Sequence, residues 1–253
     1  MTIYRIKTER NFIFVTCFSL KHIVKMKYLI SIIFLLNFFI SKVTSQTFLN
    51  PNVALKSHET LEIKKVELTP ESTTLFFSIE NRIEGGNFCA DKNIYILYPD
   101  GSRAILGKAN GIPVCPQNYK FTTIGEKLDF NLVFPPLKKD TEWIDIIEEC
   151  SANCFWFYGI TLNNDLNKHL DEAFAAASEG KPGDNIILFK NILDSIDIKD
   201  LGIEGSLYFN IINAANEANY QSVASGWYKK FLNSHAPRLN QYIKLLNDKG
   251  IKF

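Results

Sequence analysis

The apolar and polar positions of this chain follow two different periods, and the change comes near residue 162. In the first part apolar residues alternate with polar ones, as in 61–68 and 128–134, which is typical of strands that bury one face. Turn signals such as Asp100-Gly101 separate these segments, because glycine accepts the positive φ of a tight turn. About seven or eight short strands without an intervening helix predict an antiparallel, immunoglobulin-like β-sandwich over residues 46–162.

From Asn163 the apolar residues recur at the three- and four-residue spacing of helices. The first helix has its apolar face on Leu166, Leu170 and Ala173, and Gly180 ends it. Further helices are predicted at 186–196, 201–216, 220–232 and 236–247. Residues 163–253 are therefore predicted to be an all-α domain of helical hairpins that is tetratricopeptide-like, which makes the whole fold α+β.

A segment before both parts has the pattern of a secretion signal. Lys27 precedes an apolar run at 28–40, and small residues follow it up to Ser45. Because a membrane-spanning helix needs roughly 20 apolar residues, this shorter run favours a signal peptide at 26–45 over a transmembrane anchor. We expect cleavage near Ser45 and a secreted or periplasmic product. Residues 1–25 are then either a wrongly assigned or disordered extension or an unusually long positive start of the signal.

Removal of this leader changes the charge of the chain. The full sequence has 28 Lys and Arg residues against 27 Asp and Glu residues. Residues 1–45 hold seven of the basic residues and only Glu9 among the acids, which leaves 21 basic against 26 acidic residues. A mildly acidic mature protein without a basic stripe argues against nucleic acid as a partner, since such binding depends on concentrated Lys and Arg.

Four cysteines remain in the mature chain: Cys89, Cys115, Cys150 and Cys154. An even number in an exported protein indicates two disulfides, and four cysteines allow three pairings. We favour Cys89 with Cys115 and Cys150 with Cys154. A zinc site needs two cysteine pairs of short spacing, and a redox site needs CxxC on a thioredoxin-like pattern, so neither is expected. No metal or cofactor is predicted.

The search for catalytic groups finds no known nucleophile, metal or phosphate motif. His169 and His235 are expected to be solvated polar positions, and His58 precedes the first clear strand. No catalytic residue is predicted, although catalytic groups can assemble from distant segments.

The segment from Trp143 to Trp156 also allows an interpretation as a carbohydrate site. The carboxylates of Asp145, Glu148 and Glu149 could form an acid/base pair beside a sugar platform made by Trp143 and Trp156, which are the possible ligand contacts. The competing interpretation is a strand whose apolar residues face the core while its acids face water.

Several segments resemble a group of uncharacterised exported proteins of the Bacteroidota. The similarity is carried by 87–95, 111–116, 130–137, 147–150 and 154–159, and it extends through 202–205, 227–230 and 236–239. The resemblance implies a β-sandwich followed by a tetratricopeptide-like helical tail in the cell envelope, and it implies no catalytic residue.

These patterns lead to two expectations of function. The first is an exported, non-enzymatic binding or assembly protein whose partner is a protein, because helical hairpins and sandwich loops both offer surfaces for protein ligands. The alternative is an envelope carbohydrate-active hydrolase, or a carbohydrate-binding module that uses an exposed Trp143 or Trp156.

Overall fold

The computed structural model describes residues 45–151, 153–195 and 202–253, which belong to one compact unit spanning 44–253. The chain is α+β, with antiparallel sheets in its N-terminal half followed by helices. Apart from Ser45, the predicted signal peptide and the extension before it lie outside the described residues. In the described part of the chain, no helix is both long and apolar enough to cross a membrane.

The first sheet has five antiparallel strands in the order β1-β3-β4-β10-β8. Their bounds are β1 Gln46–Leu49, β3 Leu61–Leu68, β4 Thr73–Glu80, β8 Lys108–Asn110 and β10 Lys127–Phe134. In β10 buried and exposed residues alternate almost without exception. One face of this sheet is therefore buried and the other is exposed to solvent, as an apolar pattern with a period of two residues predicts.

The second sheet also has five antiparallel strands, in the order β2-β12-β11-β6-β7. Their bounds are β2 Val53–Lys56, β6 Ile94–Leu97, β7 Arg103–Ile105, β11 Trp143–Glu148 and β12 Trp156–Thr161. The predicted turn at Asp100-Gly101 joins β6 to β7, with Gly101 at φ 80°. A short third sheet pairs β5 (Asn87–Phe88) with β9 (Tyr119–Lys120).

The two large sheets share one hydrophobic core. Phe77 and Phe130 of the first sheet stack with ring centroids 5.1 Å apart, and Phe77 also contacts Phe157 of the second sheet at 5.7 Å. Burial of these aromatic side chains, together with the aliphatic residues of the core, stabilises the interface.

In the described residues five helices follow the strands, and the helical part packs on the outer face of the second sheet at Trp143, Asp145 and Gly159. Their bounds are α1 Asn164–Glu179, α2 Pro182–Ser195, α3 Glu204–Glu217, α4 Gln221–Leu232 and α5 Leu239–Asp248. Asn163 caps α1 by accepting a hydrogen bond from the N–H of Leu166. Pro182 starts α2 four residues before the predicted position, because proline fits the first helical position, where no N–H is needed.

Because the helices cover it, β11 is buried on both faces. Asp145 and Glu148 are only 1% and 7% exposed. The expectation that the acids of this strand face water is therefore wrong for both residues. For Asp145 the pattern assumed a sheet with one solvated face, and the helical layer removes that face. Glu148 instead lies on the same side of the strand as Ile146, which faces the core. The segments at Asp91 and Phe155 cover it.

Candidate binding site

The four cysteines lie at disulfide distance in the predicted pairing. Cys89 and Cys115 have their sulfur atoms 1.98 Å apart, and Cys150 and Cys154 have theirs 2.01 Å apart. The first pair joins the segment after β5 to the loop before β9, and the second closes the turn between β11 and β12. The backbone of Ala90 reinforces the first crosslink, since it exchanges hydrogen bonds with Pro113 and Cys115.

Both disulfides border one depression, which we call the disulfide groove. It is an open groove of about 500 Å³ where loops from the two sheets meet. Its lining is mostly polar and consists of Asn87, Phe88, Cys89, Asp91, Cys115, Pro116, Asn118, Glu148, Cys150, Ser151 and Asn153. No sequence motif points to this groove, because its walls come from segments far apart in the chain.

The side chain of Glu148 holds the two walls of the groove together. Its Oε1 accepts a hydrogen bond from the N–H of Asp91 at 2.8 Å, and its Oε2 accepts one from the N–H of Phe155 at 2.9 Å. Asp91 follows Cys89 by two residues, and Phe155 directly follows Cys154. One carboxylate thus connects both disulfide-bearing segments.

Both charged residues that line the groove, Asp91 and Glu148, are acidic. Burial raises the pKa of the Glu148 carboxyl above its ordinary value of 4.5, although its two N–H donors act in the opposite direction. Asp91 is the other charged residue in the lining, and its Oδ1 accepts from the N–H of Asn93 at 2.8 Å. The remaining polar groups are amides and a hydroxyl, which both donate and accept hydrogen bonds. The groove is therefore suited to a ligand that donates hydrogen bonds and has positive charge.

Trp143, one of the predicted ligand contacts, lies beneath the helical layer. It is 6% exposed, and Gly202, just before α3, packs against its ring. A Cβ atom on Gly202 would lie 2.6 Å from Cδ2 of this tryptophan. Trp143 therefore offers no open ring face to a ligand.

Trp156, the second predicted contact, is partly exposed on the outer face of the second sheet. Its ring stacks on Tyr158 with centroids 4.4 Å apart and an interplanar angle of 19°. On the ring of Tyr158 lies the guanidinium of Arg238, 4.0 Å from the centroid. The two tryptophans thus do not form a common platform.

The three candidate carboxylates also lie in different environments. Asp145 forms a buried ion pair with Arg238, and its Oδ1 accepts from the N–H of Gly159 at 2.8 Å. Glu148 faces the disulfide groove, whereas Glu149 lies on the surface, where it binds Tyr95 and Arg103 at 3.0 Å each. The structure does not bring two of these acids together in an open cleft.

The histidines do not form a catalytic arrangement in the described residues. The imidazole Nδ1 of His58 lies 2.7 Å from Oγ of Ser57, which is a contact that the sequence analysis missed. However, Oγ of Ser57 already accepts from the N–H of Trp156 at 2.9 Å. His169 and His235 are exposed. Among the described residues there is also no group of three or more His, Cys, Asp or Glu residues that could hold a metal ion.

Comparison of the chain with models of protein families, with curated proteins and with solved structures finds no match. The resemblance to exported proteins of the Bacteroidota thus stays a prediction.

Proposed function

We propose that this chain is an exported, non-enzymatic binding protein, and that the disulfide groove binds a protein segment that presents a Lys or Arg side chain. The observation that carries the proposal is the convergence of two disulfides and the Glu148 carboxylate on one open polar groove. Crosslinked loops lose little conformational freedom when a ligand binds, so the cost of ordering them is small.

Two observations support export. The cysteines form pairs, which persist in oxidising compartments such as the periplasm or the extracellular space. The compact unit begins at residue 44, and β1 begins at Gln46, directly after the predicted cleavage position at Ser45. A leader that ends there can be removed without loss of any strand that the structure describes.

The proposal includes the fold family of each half of the chain, an immunoglobulin-like sandwich followed by tetratricopeptide-like helical hairpins. Two five-stranded antiparallel sheets around one core support an immunoglobulin-like sandwich, and the close packing of consecutive helices α1 to α4 supports tetratricopeptide-like hairpins. Loops at the end of such a sandwich are a common place for ligand binding, since a rigid scaffold positions them.

The proposed partner follows from the charges and shape of the groove. Both of its charged lining residues, Asp91 and Glu148, are acidic. The groove is open and polar, whereas small-molecule sites are mostly enclosed and apolar. An extended peptide with a basic side chain matches both the negative charge of the groove and its open, polar shape.

The test compares two neighbouring tryptophan substitutions. Asn118 lines the groove, whereas Gln117 beside it is equally exposed and does not line it. Residues 46–253 are probed on an array of Lys- and Arg-containing peptides, and on a glycan array in parallel. We expect Asn118→Trp to abolish peptide binding by filling the groove, and Gln117→Trp to leave it unchanged. Peptide binding that survives Asn118→Trp, or no peptide binding at all, would contradict the proposal.

The charge of the ligand is tested by Asp91→Asn. This variant keeps the oxygen that accepts from Asn93 but removes the negative charge. We expect affinity for basic peptides to fall on the order of tenfold, corresponding to about 1.4 kcal/mol, with a weaker effect at high salt. Equal affinity for peptides in which Lys is acetylated would show that charge does not select the ligand.

The stacked pair of Trp156 and Tyr158 favours a second candidate function, carbohydrate binding without hydrolysis. Partly exposed aromatic rings provide flat apolar surfaces with polar edges. Glycan binding that is lost in Trp156→Ala and kept in Asn118→Trp would support this candidate over the first.

A further inference from the structure

The first strand of the fold begins at the first residue after the predicted cleavage position. β1 starts at Gln46 and pairs with β3 from that residue onward, with Gln46 opposite Leu68. Cleavage after Ser45 would therefore place a new α-amino group directly on an edge strand of the first sheet. This residue is a glutamine, whose chemistry at a chain terminus differs from that of the other residues.

We infer that export leaves Gln46 as the first residue and that this residue closes to pyroglutamate, a five-membered N-terminal lactam. The inference rests on the export step of the proposed function. In this reaction the α-nitrogen attacks the Cδ carbonyl of its own side chain. A Cδ–N bond forms to the α-nitrogen, the bond from Cδ to the carboxamide nitrogen breaks, and one ammonia leaves with a proton from the α-amine. No oxidant, reductant or cofactor is required.

The described structure leaves the reacting group accessible. Gln46 is exposed, and its carboxamide makes no hydrogen bond to any part of the chain that the structure describes. The residue is also at the end of an edge strand, which has no neighbouring strand on one side among the described residues. The side chain can therefore fold back on the α-nitrogen without disturbing a packed contact.

Ring closure at Gln46 affects only the first pair of the β1–β3 ladder. The N–H of Asn50 donates to the carbonyl of Lys64 at 2.9 Å, directly after the last pair of the β1–β3 ladder. Hydrogen-bonded pairs alternate along an antiparallel ladder, so Gln46 and Leu68 are again such a pair. Ring closure places Cδ on the side of the nitrogen where a strand N–H would point, as in proline, so the lactam gives up this one terminal hydrogen bond. The later pairs of the ladder are unaffected, and the positive charge of a free α-amino group disappears.

The test is mass spectrometry and Edman sequencing of the full chain after expression and export in a bacterial host. The expected product has the mass of residues 46–253 with two disulfides, reduced by one ammonia, and it gives no Edman signal until a pyroglutamyl peptidase removes the first residue. The matched control is Gln46→Asn, because asparagine would need a strained four-membered ring. This variant should give asparagine in the first Edman cycle.

The other outcomes separate the inference from the proposed function. A chain that begins with an open Gln46 after prolonged storage, or one cleaved at a different residue, would overturn the lactam while leaving export intact. A chain that keeps its leader and stays in the cytoplasm would overturn export, and with it the inference.

Discussion

At the scale of single residues, Glu148 connects the groove to the stability of the protein. Its carboxylate is buried and accepts one backbone N–H from each disulfide-bearing segment. Burial favours the protonated form of the carboxyl, so its pKa is raised. The two hydrogen bonds predict the stability of the variant Glu148→Gln, and the raised pKa predicts how its difference from wild type depends on pH.

Glu148→Gln is expected to lower the free energy of unfolding by about 1–3 kcal/mol at neutral pH. Glutamine has nearly the same shape, but its amide nitrogen cannot accept, so the N–H of Asp91 or Phe155 loses its partner. Urea unfolding measures the difference. The control is Glu149→Gln, which removes an exposed pair with Arg103 and should cost less than about 1 kcal/mol.

A comparison of wild type with Glu148→Gln over a range of pH tests the pKa of Glu148. Because this pKa is raised in the folded state, the folded protein takes up a proton at higher pH than the unfolded chain does. The Glu148 contribution to stability therefore increases as the pH falls from the folded pKa towards 4.5, and it is constant above that window. Since glutamine does not titrate, the gap between wild type and Glu148→Gln should widen on acidification. A constant or narrowing gap would contradict the raised pKa.

The role of a residue could be predicted from the sequence where it depended on a local pattern, and not where it depended on contacts with distant segments. The even cysteine number and the spacing predicted the pairing that is found. The environment of Glu148 could not be predicted, because one of its partners, Asp91, is 57 residues away. Nor could the burial of Asp145 be predicted, since its cover comes from Arg238 in a different part of the fold.

At the scale of elements, two glycines allow the helical layer to approach the second sheet. Gly202 lies against the ring of Trp143, and a Cβ on Gly159 of β12 would be 2.5 Å from the carbonyl oxygen of Gly202. Both glycines have positive φ, at 73° and 62°. Any side chain at either position would meet strain as well as a collision.

Gly202→Ala is therefore expected to destabilise the protein by roughly 2–4 kcal/mol, through overpacking and backbone strain. Gly226→Ala in α4 is the matched control, because its Cβ would enter open space within a helix. This control should stabilise the protein by about 0.5–1 kcal/mol. Thermal unfolding of both variants tests the difference, and similar melting temperatures would mean that the layers are not tightly packed at Gly202.

The longer elements could be predicted from the sequence, and the shortest could not. β3 was predicted with its observed bounds, and β10 within one residue. The strands that were missed are β1, β2, β5 and β8, which have two to four residues each. Such short segments carry no readable period, and only pairing with distant partners makes them strands.

At the scale of the whole molecule, the two disulfides close loops of different length. Cys89 and Cys115 are 26 residues apart, whereas Cys150 and Cys154 are four apart. In the chain-entropy model, the longer loop restricts the unfolded chain more. Both disulfides border the same groove, so loss of either should also affect binding.

We expect the double variant Cys89→Ser/Cys115→Ser to lose roughly 3–4 kcal/mol of stability, and Cys150→Ser/Cys154→Ser about 2 kcal/mol. Urea unfolding under non-reducing conditions measures both. A larger loss for the second double variant would show that contacts in the folded state, rather than loop closure, determine the effect.

The buried pair of Arg238 and Asp145 has a consequence for how the chain reaches its native state. Asp145 lies in the central strand of the second sheet, and its countercharge is supplied by Arg238, which directly precedes α5. Until Arg238 packs against it, the sheet contains a carboxylate without a countercharge, which the N–H of Gly159 satisfies only in part, and the helices cannot cover it without a severe desolvation cost. Chains that end before Arg238 are therefore expected to leave this part of the second sheet open and sensitive to proteases.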